Sequence, residues 1–207
     1  MNLTNAQDIK ALLERHGFHF SRSMGQNFLI DGRVPHDIAE AAGLDKSCAV
    51  LEIGPGIGPL TEQLALRAGK VAAVELDRSL LPVLAETMAP YPNVEIIPGD
   101  VMKLNLTELL ADRFNGFTVK ACANLPYNIT TPAITKLLEG GPFASVTVMI
   151  QREAAARICA GPGDEDYGVF SLFCQYHARC TPCSMCRPSA SCRPQRSRPR
   201  SSSSSRG

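Results

Sequence analysis

A glycine-rich segment directly after an apolar run is the feature that most narrows the choice of folds. Residues 52–58 read Glu-Ile-Gly-Pro-Gly-Ile-Gly, and they follow the apolar residues 48–51. A strand that ends in such a turn and leads into a helix lets the backbone approach a ligand closely. The dinucleotide-binding pattern needs a further glycine where this chain has Pro59 or Thr61. The spacing therefore predicts a nucleotide-type ligand other than a dinucleotide, with a purely structural turn as the alternative.

Apolar runs rich in β-formers alternate with helical patterns from residue 49 onward. This order predicts an α/β domain with a mainly parallel sheet. We predict five strands, at residues 49–53, 71–74, 94–97, 117–123 and 146–150. Two short helices are predicted before them, at residues 6–16 and 35–42, joined by a loop at residues 21–29. Thr130 and Thr131 precede Pro132 and are predicted to cap the helix after the fourth strand.

Acidic residues close the second and third predicted strands. Glu75 follows the glycine turn by about 20 residues, where its carboxylate can accept hydrogen bonds from both hydroxyls of a ribose. Asp100 can accept a hydrogen bond from an adenine amino group. The alternative for Glu75 is a solvated acid at a strand end, and the alternative for Asp100 is a helix N-cap. Because the carboxyl ends of parallel strands meet at one edge of a sheet, these acids and the turn at Gly54 and Gly56 together predict an S-adenosylmethionine site.

The fourth predicted strand ends in the sequence Asn124, Leu125, Pro126 and Tyr127. The Asn124 side chain and the Leu125 carbonyl can accept hydrogen bonds from the two N–H groups of an adenine amine. Pro126 fixes the turn, and Tyr127 offers a stacking face. Acceptors that pull the amine hydrogens out of the ring plane localise the nitrogen lone pair. We therefore predict methyl transfer to adenine N6 without a metal or a strong base, with an ordinary turn before a helix as the alternative.

These motifs resemble, in order, those of the ribosomal RNA adenine dimethyltransferase family, which includes the erythromycin-resistance methylases and mitochondrial relatives. The resemblance covers about residues 10–177 and rests on residues 26–29, 52–58, 75–77, 99–100, 124–128 and 167–168. It implies a Rossmann-like fold that depends on S-adenosylmethionine. In the small-subunit branch, it also implies dimethylation of two adjacent adenines in the 3′-terminal hairpin of 16S-type RNA.

The same resemblance assigns roles to the candidate residues. It implies that Asn27 and Leu29 lie beside the methionine end of the cofactor, Glu75 on its ribose and Asp100 on its adenine. The implied cofactor-binding set is Asn27, Leu29, Gly54, Gly56, Glu75, Asp100 and Asn124, and the implied catalytic set is Asn124, Leu125, Pro126 and Tyr127. The implied partner is small-subunit ribosomal RNA within a pre-30S particle, and we expect a cytoplasmic monomer.

Charge and cysteine usage divide the chain near residue 177. Residues 1–177 contain 14 Lys and Arg against all 20 Asp and Glu, a formal charge of −6, whereas residues 178–207 contain seven arginines and no acid. No apolar run approaches the roughly 20 residues that a membrane-spanning helix needs. We predict reduced thiols at Cys48, Cys122, Cys159 and Cys174. The tail spaces four cysteines as C-x2-C-x2-C-x5-C, but no metal site is predicted because no apolar framework or histidine surrounds them.

We predict that residues 1–177 form an incomplete methyltransferase domain and that residues 178–207 are a disordered tail read out of frame. The resemblance implies two further strands, a loop of the type F-x-P-x-P-K-V and a small helical domain, all missing here. A back-translation of residues 186–202, read two bases out of frame, gives PPERFLPAPKVTSAVV, which contains that loop. The sequence therefore predicts an uncovered sheet edge at residues 146–150, cofactor binding at most, and little or no methylation.

Other functions are also compatible with the sequence. In a non-catalytic role in ribosome assembly, with the arginine-rich tail as an RNA-binding arm, a change at Asn124 would leave function intact. A large-subunit rRNA adenine methylase of the erythromycin-resistance type would methylate the other ribosomal subunit. An α/β domain without a cofactor site is the remaining alternative.

Overall fold

The computed structural model describes residues 1–18, 29, 31–183 and 190–192, which form a sheet with helices on both faces. The helices are α1 (Ala6–Arg15), α2 (Arg33–Ala41), α3 (Pro59–Arg67), α4 (Leu81–Met88), α5 (Leu106–Arg113), α6 (Thr130–Gly140), α7 (Arg152–Cys159) and α8 (Val169–His177), with a 3₁₀ turn at Arg78–Leu80. The strands are β1 (Cys48–Ile53), β2 (Lys70–Glu75), β3 (Val94–Pro98), β4 (Thr118–Asn124), β5 (Ser145–Ile150) and β6 (Ala190–Cys192). The predicted loop at 21–29 lies outside the described residues, apart from Leu29.

Five strands pair in parallel in the order β3-β2-β1-β4-β5. This order confirms the predicted α/β class, and each of the five predicted strands is present. The runs are almost wholly apolar because helices cover both faces of a parallel sheet. All six residues of β1 are buried, for example. The strand that precedes the glycine turn is therefore the centre of the sheet.

Helices pack on the two faces of the sheet through alternate strand residues. Ala49, Leu51 and Ile53 belong to a cluster with apolar residues of α5, α6, α7 and α8. Val50 points the other way and packs with α2 and α3. A third cluster joins α1 to α4 and includes Ile57. Because Ile57 lies inside the glycine-rich segment, its side chain anchors that segment to the cluster formed by α1 and α4.

The outer edge of β5 is partly covered, so the prediction of an uncovered edge was wrong for half of the strand. Residues 148–150 pair with β6 in antiparallel orientation. Ala178 is buried, and Cys180 packs on the cluster that contains β5. Composition did not predict these contacts because the N–H and C=O groups of an edge strand can pair with any extended segment, whatever its side chains. The domain boundary at residue 177 stays a prediction.

Three lysines bind carbonyl groups at the C-terminal ends of helices. Lys46 donates to carbonyls at the end of α3, Lys120 to the carbonyls just after α2, and Lys70 to the last carbonyl of α5. The last carbonyls of a helix have no partner within the helix, and they carry the negative end of its dipole. Each ammonium group therefore satisfies orphan acceptors and stabilises a helix end that packs on the sheet.

Replacing Lys46 with methionine is expected to lower the free energy of unfolding by about 1–2 kcal/mol. The Lys46 Nζ lies 3.0 Å from Leu66 O and 2.9 Å from Ala68 O, and methionine leaves both carbonyls without this donor. Lys10→Met is a matched control, because Lys10 makes an exposed ion pair with Glu14 on α1. Urea unfolding of the two variants measures the difference, and equal midpoints would contradict the capping role.

Two expectations drawn from composition can be compared with the structure. Among the described residues, the four cysteines predicted to be reduced form no disulfide, and Cys48, Cys122 and Cys174 are buried. No helix in the described part of the chain combines the length and the apolar character that a bilayer crossing needs. The predicted cytoplasmic location stays a prediction.

Candidate cofactor and active site

The glycine turn after β1 has a backbone shape that glycine adopts most easily. Gly54, Gly56 and Gly58 have φ angles of +69°, +63° and +100°, in the left-handed region that disfavours other residues. The Gly54 N–H donates to Val74 O of β2 at 3.0 Å, which ties the turn to the neighbouring strand. Helix α3 begins directly after Gly58. The first N–H groups of α3 therefore point back toward the turn.

Gly54 and Gly58 differ in what surrounds them. A Cβ atom at Gly58 would overlap the Met88 side chain of α4. A Cβ atom at Gly54 would meet no atom within 4 Å apart from its chain neighbours. The left-handed backbone and the nearby Met88 side chain together explain Gly58, whereas the open space at Gly54 leaves room for a ligand beside the backbone.

Glu75 is buried at the end of β2, so the alternative of a solvated acid was wrong; 6% of its surface is exposed. Its Oε2 accepts a hydrogen bond from the Gly56 N–H at 3.1 Å, and its Oε1 accepts one from the Asp77 N–H at 2.8 Å. Burial raises the pKa of Glu75, and these two N–H donors partly offset that effect. The carboxylate links β2 to the glycine turn and keeps lone pairs for further donors.

Asp100 caps a local turn rather than a helix, and its contact with an adenine amine stays a prediction. Its Oδ1 accepts a hydrogen bond from the Met102 N–H at 2.9 Å, so it caps the local turn. The next helix, α5, is capped by Asn105 instead. The Asp100 side chain is 29% exposed, and its Oδ2 lies 3.8 Å from Lys103 Nζ. One carboxylate oxygen thus holds the turn, while the other is accessible to a donor such as an adenine amine.

The Asn-Leu-Pro-Tyr segment leaves the sheet where β4 ends at Asn124. The Leu125 N–H donates to Met149 O of β5 at 3.0 Å, and the Leu125 side chain is buried. These contacts fix the direction of the Leu125 carbonyl. Tyr127 is 65% exposed, as a residue that stacks on an incoming base would be. Its aromatic face is therefore free for the predicted contact.

The hydroxyl of Thr130 holds the same segment from the other side. Thr130 is the first residue of α6, and Ile129 is the cap, so the predicted N-cap at Thr130 and Thr131 was wrong. The Thr130 Oγ1 donates to Pro126 O at 3.0 Å. The hydroxyl therefore stabilises the turn before the helix rather than the first N–H groups of the helix.

Strand register brings the candidate groups to one edge of the sheet. The last paired residues of β4 and β1 directly precede Asn124 and Gly54, so these two residues end side by side. The Gly99 N–H donates to Glu75 O at 2.8 Å, which joins the ends of β3 and β2. The candidate groups follow one another along the carboxyl edge in the order Asn124, Gly54, Glu75 and Asp100.

Two predicted residues precede this region. Asn27 lies outside the described residues, and Leu29 is half-buried. Their contact with the methionine end of a cofactor stays a prediction.

No individual function is predicted for Glu52 from the sequence. The structure places it wholly inside the protein, with 1% of its surface exposed. Burial raises the pKa of Glu52 to about 8; Thr61 lowers that pKa, and the like charge of Glu75 raises it. Within the described chain, Glu52 Oε2 and Thr61 Oγ1 have no hydrogen-bond partner. A single acid inside an apolar strand was the available signal.

Comparison with known proteins indicates the family to which the chain belongs. A sequence profile of the family described as Ribosomal RNA adenine dimethylase matches residues 17–195. The Ribosomal RNA small subunit methyltransferase A of Alkaliphilus metalliredigens is 49% identical over 174 residues, and the protein of the same name from Shouchella clausii is 51% identical over 174 residues. These alignments cover 84% and 83% of this chain, and 60% and 59% of the relatives. The chain thus spans about three fifths of the length of these curated relatives.

Solved structures show the same fold. The crystal structure of a dimethyladenosine transferase from Plasmodium falciparum superposes with a TM-score of 0.68 at 28% identity, covering 81% of this chain and 62% of that one. The 23S rRNA methyltransferase ErmE superposes with a TM-score of 0.69 at 26% identity, covering 83% and 70%. The predicted Rossmann-like methyltransferase fold is therefore confirmed. With the family profile matching most of its length and its sheet edge carrying the motifs in order, the chain belongs to the ribosomal RNA adenine dimethylase family.

Proposed function

We propose that the chain carries the cofactor-binding part of an rRNA adenine N6,N6-dimethyltransferase. It would transfer methyl groups from S-adenosylmethionine to two adjacent adenines near the 3′ end of small-subunit rRNA. The observation that carries this proposal is the order of Asn124, Gly54, Glu75 and Asp100 along one carboxyl edge of the sheet. A nucleoside-bearing methyl donor and a target adenine require a close backbone approach, a ribose acceptor and two amine acceptors.

The adenosine part of the cofactor would be held by groups on β2 and after β3. Glu75 is fixed by two backbone donors and can accept hydrogen bonds from ribose hydroxyls. The accessible oxygen of Asp100 can accept one from the adenine amine. The open space at Gly54 would admit the chain that carries the sulfur atom. S-adenosylmethionine, when bound, supplies a methyl group on a positively charged sulfur.

The target amine would be oriented by Asn124 and Leu125. The Asn124 side-chain oxygen and the Leu125 carbonyl would accept its two N–H groups, while the exposed Tyr127 ring would stack on the base. The buried Leu125 side chain and its bond to β5 keep that carbonyl in place. Positioning of the nitrogen lone pair toward the methyl group, rather than acid–base chemistry, would supply most of the rate effect.

The names and sequence identities of the relatives bear on the choice between the two ribosomal subunits. The two relatives named above, at 49% and 51% identity, are both called small subunit methyltransferases, whereas ErmE, named for 23S rRNA, is 26% identical. These identities favour the small-subunit substrate over the large-subunit alternative. We therefore propose small-subunit rRNA as the substrate; a pre-30S particle as the partner and a cytoplasmic monomer as the acting form are part of the same proposal.

We also propose residues 1–177 as the incomplete domain and residues 178–207 as an out-of-frame tail. The arginine-rich, acid-free composition of the tail supports this boundary. The family match to residue 195 and the pairing of β6 with β5 weigh against a tail that is foreign throughout. Sequencing the coding DNA from the codon of Phe173 onward decides the matter: a one- or two-base correction that restores the P-K-V loop would establish the frameshift.

Methyl transfer from tritiated S-adenosylmethionine to purified small and large ribosomal subunits, together with calorimetric binding, tests the function. We expect the 207-residue chain to bind the cofactor and to transfer little or no methyl. A frame-corrected chain should methylate small subunits, and its Asn124→Ala form should bind the cofactor with transfer reduced at least about 100-fold. Absence of cofactor binding, or transfer to large subunits alone, would overturn the proposal. Robust dimethylation by the 207-residue chain would overturn the incomplete-domain assignment.

A further inference from the structure

Glu52 lies on the face of the sheet that α3 covers, two residues before the first glycine of the turn. Its register partner on β4 is Cys122, and the partner of Cys122 on β5 is Thr147. Paired residues on neighbouring strands share a face, so these three side chains form one row. Thr61 of α3 faces Glu52 and interacts with its carboxyl group. Thr61 and Thr147 are as deeply buried as Glu52, with at most 1% exposed.

Several oxygen atoms in this row lack partners. Glu52 Oε2, Thr61 Oγ1 and Thr147 Oγ1 are buried and make no hydrogen bond of normal length and angle within the described chain, although the Thr61 hydroxyl is close enough to the Glu52 carboxyl group to favour its charged form. Buried polar groups in native proteins are nearly always paired, so unpaired ones require an explanation. The unpaired Glu52 oxygen lies directly before the glycine turn that the cofactor would contact, so the charge of this carboxyl group can respond to what binds at the turn.

Burial disfavours a negative charge on Glu52 more strongly than the Thr61 hydroxyl favours it. From β2, Glu75 contributes a like charge. From the neighbouring strand β4 comes Cys122, and from α3 comes the Thr61 hydroxyl; Thr147 lies one strand further away on β5. The carboxyl group therefore keeps its proton at neutral pH in the folded chain.

We propose that Glu52 is a positioning residue that gives up its proton to solvent when a cationic methyl donor docks on the glycine turn. This inference rests on the proposed function. S-adenosylmethionine carries one net positive charge more than S-adenosylhomocysteine, because its sulfur is a sulfonium. The neutral carboxyl group becomes a carboxylate beneath the cation, and one proton passes to the buffer. Once the methyl group has left, the sulfur is neutral and Glu52 takes up a proton from the buffer. The product, S-adenosylhomocysteine, is therefore bound more weakly than the donor.

Proton release would allow the site to bind the methyl donor more tightly than the demethylated product. A carboxylate that forms under the sulfonium stabilises the donor, whereas a protonated carboxyl group is indifferent to the thioether. The affinity for the donor should therefore rise with pH. At pH values where Glu52 is protonated before the donor binds and ionised afterwards, the donor affinity rises about tenfold per pH unit. The rise levels off near the pH at which Glu52 ionises without a ligand. The affinity for the product should change less.

Calorimetry of S-adenosylmethionine and S-adenosylhomocysteine binding, in buffers of different ionisation enthalpy, counts the protons released. At pH 7 the donor should release roughly 0.5–1 proton and the product clearly fewer. In Glu52→Gln, release and the pH dependence of donor affinity should disappear. Glu62→Gln is a matched control, because Glu62 lies on α3 beside Thr61 but accepts a hydrogen bond from Tyr91; it should behave like the unmodified chain.

Thr61→Val provides a second variant that does not remove the acid. The Thr61 hydroxyl lowers the pKa of Glu52, so its loss should move the pH dependence of donor affinity to higher pH. Release that persists in Glu52→Gln would assign the proton to another group, such as Glu75, and overturn the inference. Donor binding without proton release in the unmodified chain would also overturn it. If the unmodified chain binds neither ligand, the proposed function itself fails.

Discussion

Gly54→Ala is expected to weaken S-adenosylmethionine binding by about 10- to 100-fold while the chain stays folded. Two observations support this expectation. Gly54 has a φ of +69°, so alanine costs about 1–2 kcal/mol of stability, and an added Cβ meets no atom within 4 Å apart from chain neighbours. The methyl group would therefore clash with the ligand rather than with the protein.

Gly116→Ala separates backbone strain from ligand contact. Gly116 has a φ of +84° and, like Gly54, open space around an added Cβ, but it lies between α5 and β4, away from the carboxyl edge of the sheet. Both variants should lose similar stability in urea unfolding, and only the change at Gly54 should reduce cofactor affinity in calorimetry. Equal affinities in the two variants would remove the glycine turn from the cofactor site.

Glu52→Gln is expected to change how the stability of the chain depends on pH. The pKa of Glu52 in the folded chain is about 8, above its ordinary value of 4.5. Between these values the folded chain holds a proton that the unfolded chain has lost, so stability falls as pH rises from about 5 to 8. At about 1.4 kcal/mol per pKa unit, the loss attributable to Glu52 is at most about 5 kcal/mol. Glutamine does not ionise, and its variant should escape this loss.

Urea unfolding at pH 5.5 and pH 8.5 measures the effect. The unmodified chain should be clearly less stable at the higher pH, and Glu52→Gln should show a smaller difference. Some difference should remain, because burial also raises the pKa of Glu75. Glu95→Gln is a surface control, since Glu95 forms an ion pair with Arg113. If the control and Glu52→Gln lose the same stability between the two pH values, Glu52 is not the group that titrates.

The five parallel strands could be predicted because each is a short apolar run, and burial on both faces leaves few other places for such runs. The pairing of β6 with β5 could not be predicted, because it depends on backbone groups and on no side-chain pattern. The cap before α6 was misplaced for a related reason. Thr130 has a cap-forming side chain, but the carbonyl of Pro126 is within its reach and takes its hydrogen bond.

The positions of Glu75 and Asp100 at strand ends were predictable from the sequence, whereas their contacts with a cofactor stay predictions. What each carboxylate does with its oxygens was not predictable, because the donors come from loops and other strands. The Gly56 N–H that binds Glu75 is 19 residues away along the chain. The burial of Glu52 under α3 likewise depends on how a helix packs on the sheet. Neither the donor to Glu75 nor the burial of Glu52 can be inferred from the spacing of residues in the sequence.

The hydrogen bond from the Gly56 N–H to Glu75 also bears on how fast a ligand can bind. Since this bond already holds the turn in the folded chain, the conformational entropy of the turn is lost during folding and not at the moment of binding. Association should then be a single step, limited by diffusion and desolvation. Without the Glu75 carboxylate, the turn would have to become ordered around each arriving ligand, and binding would become slower and biphasic as well as weaker.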